Sequence, residues 1–218
     1  MKMIICLILL SGNYLYAQSL PEIQAHHEAR LSSIELKELN FYEKLIAKSL
    51  EKFGKGRLNK RLLNYLAVNE SSILSFRKAS NMASTKARRI CGVSIKDLLK
   101  RHTDDEVDAL RHLLWAGYLT LLLDDQKALA ITSLQEDRPR NNLKSMQMDI
   151  WNNYQAINLV ESHKKDILIL PKQKQFRRVK ELMLELFNAG EALVLISTET
   201  ICQRKGLYPN FSLSPIVF

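Results

Sequence analysis

The sequence predicts a mainly α-helical fold: a single-domain bundle around a buried central helix over 103–123. Three observations predict it. Glycine (7) and proline (5) are scarce in 218 residues, while Leu, Lys, Glu and Ala are abundant, a composition that favours helix. Apolar residues recur every three or four positions through most of the chain. One stretch, Thr103 to Leu123 (TDDEVDALRHLLWAGYLTLLL), is apolar on nearly every side, as a helix enclosed by others must be. With 46% hydrophobic residues the chain is long enough to bury a core unaided.

Taken in order, the chain opens with the marks of a signal peptide. Lys2 precedes an apolar run from Met3 to Leu10, and Leu15-Tyr16-Ala17 offers a cleavage site before Gln18. That run is too short to anchor in a bilayer, and no later segment is apolar enough to span one. Cys6 sits inside the run rather than at its end, so it is not read as a lipoprotein cysteine. The expected organisation is 1–17 signal peptide, 18–95 N-terminal helical region and 96–218 motif-bearing helical domain. Export would place Cys91 and Cys202 in an oxidising compartment, where a pair invites a disulfide.

Residues 20–53 carry apolar positions at helical spacing between Pro21 and Gly54. They predict a long helix with a break near Ser32-Ser33. His26 and His27, near its polar beginning, read as solvated. A second helix starts around Leu58–Leu66, and Asn69 to Ser72 reads as a break and new cap. A third runs from Ile73 to Ile90, its Lys86, Arg88 and Arg89 suiting the negative end of the helix dipole, and Cys91-Gly92 closes it. A short helix over Ile95–Arg101 leads to the central one, which Thr103 and Glu106 are expected to start as a capping box.

Beyond Leu123, helices are predicted over Gln126–Glu136, Met146–Val160 and Gln173–Phe187, with 137–145 as a polar loop around Pro139. The run Ile167–Leu170 and the run Ala192–Ile196 are short enough to pair as a two-stranded β element near the C-terminus. The tail from Leu207, with Pro209 and Pro215, reads as extended.

Four residues break the apolar character of the central helix. Asp108, Arg111, His112 and Trp115 fall at i, i+3, i+4 and i+7, on one face. Ionisable groups on a buried helix are costly unless paired, so this face marks a site. Asp149, Asn152 and Asn153 repeat the i, i+3, i+4 spacing on a later helix, and Glu136 ends the helix between them. The chemistry of these types is coherent. His112 serves as general acid or base with Asp108 fixing its tautomer, and Arg111 clamps an anion. Asn152 and Asn153 donate to a developing oxyanion, while Asp149 and Glu136 supply a second acid or base, or ligands for a hard cation. One histidine among scattered carboxylates lacks the clustering of a zinc site, so no metal is assigned, and no cofactor is specified. The alternative is a buried Asp–Arg–His–Asn network that braces two helices without catalysis. His102 and His163 read as surface residues.

The formal net charge is +9, one less once Lys2 leaves with the signal peptide. Such a protein is drawn to anionic surfaces, of which envelope components such as wall polymer or phospholipid are the expected partners. Nucleic acid is disfavoured, because the basic residues are dispersed and no binding motif appears. The sequence contains no glycine-rich phosphate loop, CxxC, GxSxG or HExxH.

From Val107 to Ile196 the chain resembles a family of uncharacterised bacterial domains found in exported, wall-associated and toxin-like proteins. The resemblance rests on Asp108-Ala109-Leu110-Arg111-His112, Trp115, Gln135-Glu136, Met148-Asp149-Ile150-Trp151-Asn152-Asn153 with Ala156, and Gly190 to Val194. It implies a functional site at these motifs without implying a reaction. Two positions depart from the pattern: Gln135 stands where the family has His, and Ala156 where it has Gly. Glutamine hydrogen-bonds but neither titrates nor ligates zinc as imidazole does. A hydrolase-like domain and a non-catalytic binding or structural module are the two functional expectations.

Overall fold

The computed structural model describes residues 20–54, 58–94, 104–137 and 142–194. The segment expected as a signal peptide, Cys202, His102, the helix expected over 95–101 and the tail lie outside the described residues. Among the described residues the fold is all helical. In order the helices are α1 (Leu20–Ser33), α2 (Phe41–Gly54), α3 (Lys60–Val68), α4 (Ser71–Cys91), α5 (Glu106–Leu122), α6 (Asp125–Glu136), α7 (Leu143–Ser162), α8 (Lys164–Leu168) and α9 (Lys172–Asn188).

Each boundary has a local cause. The break at Ser32-Ser33 is real: both hydroxyls bond back to carbonyls of the preceding turn, Glu28 and Arg30, a competition that weakens the helix. The chain restarts at α2 with a reciprocal cap, in which Glu43 N–H donates to Asn40 Oδ1 and Asn40 N–H donates to Glu43 Oε2. Asn59 and Asn142 cap α3 and α7 through their side-chain oxygens. Gly92 ends α4 in the left-handed region at φ 72°, which only glycine adopts without cost.

The start of α5 corrects the expected capping box. Asp105 is the cap, accepting from the Val107 and Asp108 N–H groups. Its short carboxylate reaches the second and third helical amides directly, so the first turn begins at Glu106; Thr103 lies outside the described residues. The expected β element is corrected as well. Lys164–Leu168 is a helical turn in which only Ile167 is buried, while Leu168 and Ile169 face solvent. Pairing as a strand would leave that outer apolar pair no better covered. His27 is a third correction: it is buried, whereas His26 is exposed and stacks on Tyr154 at 6.5 Å.

α5 is the axis of the bundle. All of it is buried except Arg111, Leu121 and Leu122. α4, α7 and α9 pack directly against it, and α6 lies on α7. Ala79, Ala83, Ala87 and Cys91 make a fully buried small-residue stripe that lets α4 come close. Gly117 does the same for α9: a Cβ there would meet Met183 Sδ and Val179 Cγ1, both at 3.1 Å. Gly117→Val is therefore expected to lower stability by about 1–3 kcal/mol through overpacking, read from urea unfolding. An unchanged midpoint would mean that α9 does not approach α5 this closely.

Candidate active site

The site forms where α5 crosses α7 and the end of α6 closes over both. The cap at Asp105 sets the first turn of α5, so Asp108, Arg111 and His112 share the face turned to α7. Asp104 holds the entry in the left-handed region at φ 63°, a conformation Asp tolerates better than most residues. Its N–H donates to Asp108 Oδ2 (2.9 Å), and its carboxylate accepts from Ser145 Oγ at the start of α7 (2.8 Å). Neither Asp104 nor Ser145 was legible as a site residue, because a backbone conformation leaves no trace in spacing.

Around the His112 imidazole the structure assembles Asp108, Arg111, Glu136, Asp149 and Asn153. Arg111 Nε donates to Asp108 Oδ1 (2.9 Å), and Arg111 Nη2 contacts the same oxygen. His112 Nε2 lies 3.1 Å from Arg111 Nη2, 3.2 Å from Asp149 Oδ1 and 3.8 Å from Asp108 Oδ1. On the other side, Nδ1 lies 3.3 Å from Asn153 Oδ1 and 4.0 Å from Glu136 Oε1. Trp115, one turn along α5, meets the imidazole edge-on with centroids 6.0 Å apart. His112 is 5% exposed and Asp149 8%, whereas the Arg111 side chain is 37% exposed. The Arg111 side chain is thus the most exposed member of the cluster, although burial still acts on its guanidinium.

These contacts fix where the protons sit. A guanidinium N–H can only donate, so the Nε2 facing it carries the lone pair, and the imidazole proton is on Nδ1 with Asn153 Oδ1 as acceptor. Asp149 Oδ1 lies 3.2 Å from the same nitrogen, and the Asp149 carboxyl is hydrogen-bonded to Glu136. The electrostatics agree. Burial, then the charges of Glu136 and Asp108 and a hydrogen bond with Glu136, hold the Asp149 carboxyl well above the usual carboxylate range. Asp108 goes the other way. Burial pushes it up, but the Arg111 charge and hydrogen bond and the Asp104 N–H outweigh that and leave it below its ordinary value. One acid is pushed up and its neighbour down within a single cluster, the division of labour that acid–base sites use.

Asp108, His112 and Asp149 each offer one donor atom, all within 4.8 Å of one another, a set that could hold a divalent cation. Arg111 already brings a positive charge to that point, since its Nη2 touches both Asp108 Oδ1 and His112 Nε2.

One expected role does not match the geometry. Asn152 turns away from the imidazole and clasps the backbone of Leu193, its Nδ2 donating to the Leu193 carbonyl (3.0 Å) and its Oδ1 accepting from the Leu193 N–H (2.9 Å). It ties the segment after α9 to α7 and is not an oxyanion donor. Trp151 likewise donates to the Glu191 carbonyl. Gln135, at the first departure from the family pattern, is half-buried at the end of α6 beside Glu136.

Comparison with known families bears on these helices directly. The sequence profile of the domain of unknown function DUF6973 matches residues 65–186, more than half of the chain. The chain belongs to the DUF6973 family. The match takes in α4 to α8 whole and nearly all of α9, so every helix that builds the site belongs to the DUF6973 domain. It begins well ahead of the motif-bearing stretch at 107, and leaves α1 and α2 outside. No curated protein and no solved structure matches the chain.

Proposed function

We propose that this DUF6973 protein is an exported hydrolase-type enzyme that acts by acid–base catalysis on an anionic envelope substrate. The observation that carries the reading is the Asp149 carboxyl, held well above the usual carboxylate range, set 3.2 Å from Nε2 of His112. Such an acid–base pair passes a proton between its members without creating a net charge in the interior. Asp108 and Arg111 form the ionised pair that orients it, and Arg111, whose side chain is partly exposed, supplies the anion clamp. The basic net charge favours encounter with an anionic surface. Export would also expose Cys91 to oxidation with Cys202; Cys91 is fully buried at the end of α4. Intact mass with and without reductant reads that bridge.

The test is incubation of the purified protein with envelope fractions, phospholipid vesicles and wall polymer separately, with products read by mass spectrometry. His112→Gln is expected to reduce turnover by about 100- to 10,000-fold with the helical fold retained. Absence of turnover on all three substrates, or equal turnover by His112→Gln, overturns the reading.

A second reading, in which the cluster only braces α5 against α7, is favoured by its enclosure, since both His112 and Asp149 are under a tenth exposed. It expects no turnover and a large fall in melting temperature for His112→Gln.

A further inference from the structure

α2 lies outside the DUF6973 match. Among the described helices its main packing partner is α3, so much of its surface faces outward. Phe41, Lys44, Leu45, Lys48 and Lys52 fall at i, i+3, i+4, i+7 and i+11, one stripe along the helix. Every one of them is exposed. Phe41 is 78% exposed and Leu45 49%, and Tyr42 beside them is 60% exposed. Three large apolar side chains left open within the first turn and a half have no part in the core.

The charges on α2 are arranged around the same stripe. Its first acid, Glu43, is buried, where it caps Asn40 and pairs with Lys37 at 2.8 Å. The other acid, Glu51, lies at the flank of the stripe. No ion pair engages Lys44, Lys48 or Lys52 among the described residues. The stripe therefore has an apolar, aromatic beginning and a basic end. From Phe41 to Lys52 it extends about 16 Å at the rise of an α-helix.

We propose that this stripe of α2 docks on an anionic phospholipid surface. Such a surface offers an apolar layer beneath a layer of phosphates. An inclined α2 puts Phe41, Tyr42 and Leu45 into the boundary of the acyl chains, about 5–10 Å deep. Lys44, Lys48 and Lys52 stay at the phosphates, their stems lying along the apolar residues. A second copy of the chain is a poorer occupant. Pairing stripe to stripe gathers six lysines in one contact and brings no acid to its centre. The proposal rests on the preceding reading for the charge of the partner alone, and not on the acid–base chemistry.

Co-sedimentation reads the docking. The purified protein is spun with vesicles of equal parts phosphatidylcholine and phosphatidylglycerol, with pure phosphatidylcholine as reference. Binding to the mixed vesicles alone is expected, weakening as sodium chloride is added. Replacing Lys44→Gln, Lys48→Gln and Lys52→Gln together is expected to weaken partitioning by about 100-fold, the summed effect of three lysines near an anionic surface. Phe41→Ser with Leu45→Ser is expected to weaken it by about tenfold or more. The lysine variant changes only exposed side chains, so it keeps the test valid whatever the apolar pair does to folding. Arg77→Gln, Arg89→Gln and Arg177→Gln remove the same charge from exposed positions on α4 and α9, and that variant is expected to bind as wild type does. Equal binding to both vesicles, a lysine variant that binds like wild type, or a control as weak as the lysine variant overturns the proposal. So does a dimer in sedimentation velocity that Phe41→Ser with Leu45→Ser turns into a monomer, since a second copy then covers the stripe. His112→Gln is expected to bind the vesicles normally, so failure of the docking is separable from failure of the acid–base site.

Discussion

Asp108→Ala is expected to cost about 3–5 kcal/mol of folding stability, enough to remove much of the margin of a domain this size. The carboxylate accepts from Arg111 Nε and Nη2 and from the Asp104 N–H. Its loss strands the inner side of the guanidinium and frees the left-handed turn at Asp104 that joins α5 to Ser145 of α7. The effect exceeds that of a surface ion pair because Asp108 is buried, even though Arg111 is not wholly so. Chemical unfolding of the variant checks it. A shift below about 1 kcal/mol, the scale of a surface pair, would mean that the pair is solvated in solution. Asp108→Asn keeps the shape without the charge and should fall between the two.

Asp149→Asn is expected to behave in the opposite way, and its effect is read as a function of pH. The fold raises this carboxyl above its ordinary 3.8, so the native chain holds a proton that the unfolded chain releases. Stability from this group is fully present below the unfolded value and is lost as pH rises toward the folded one. Across that window the wild type should lose about 1.4 kcal/mol for each pH unit relative to the variant, which has no such proton. Asp108 carries the reverse sign: its lowered value gives stability above 3.8 that is lost as pH falls, outside the window in question. Urea midpoints of both proteins from pH 4 to 7 should diverge, with Asp149→Asn gaining as pH rises. Parallel curves would mean that Asp149 ionises in the fold as it does in the unfolded chain.

Much of the site was legible because helical periodicity alone aligns i, i+3 and i+4. Asp108, Arg111 and His112 on one helix, and Asp149 and Asn153 on another, could be placed on facing stripes before any coordinates. Asn152 shares that spacing yet serves another purpose. A helix face is broad enough for neighbouring asparagines to reach different partners, and its partner, the Leu193 backbone, is set by how the chain leaves α9. The cap at Asp105 lost to Thr103 in the sequence because either side chain can cap, and only the first turn's position chooses between them. His27 was read as solvated from its polar neighbours; what buries it is packing of α1 on α6 and α7, a tertiary contact that local pattern does not encode. The run Ile167–Leu170 illustrates the same limit, four apolar residues fitting strand and helical turn equally until Ile167 finds the core.

The central claim is that Asp149 keeps its proton beside a neutral His112. The most direct measurement is ¹³C NMR of the protein labelled at aspartate side-chain carboxyls, with wild type compared to Asp149→Asn at pH 7. One carboxyl resonance is expected at the position of a protonated acid in the wild type, and it should be missing from the variant. If every aspartate resonance lies at the ionised position at pH 7, Asp149 is a carboxylate, the proton assignment around His112 is wrong, and the acid–base site falls with it.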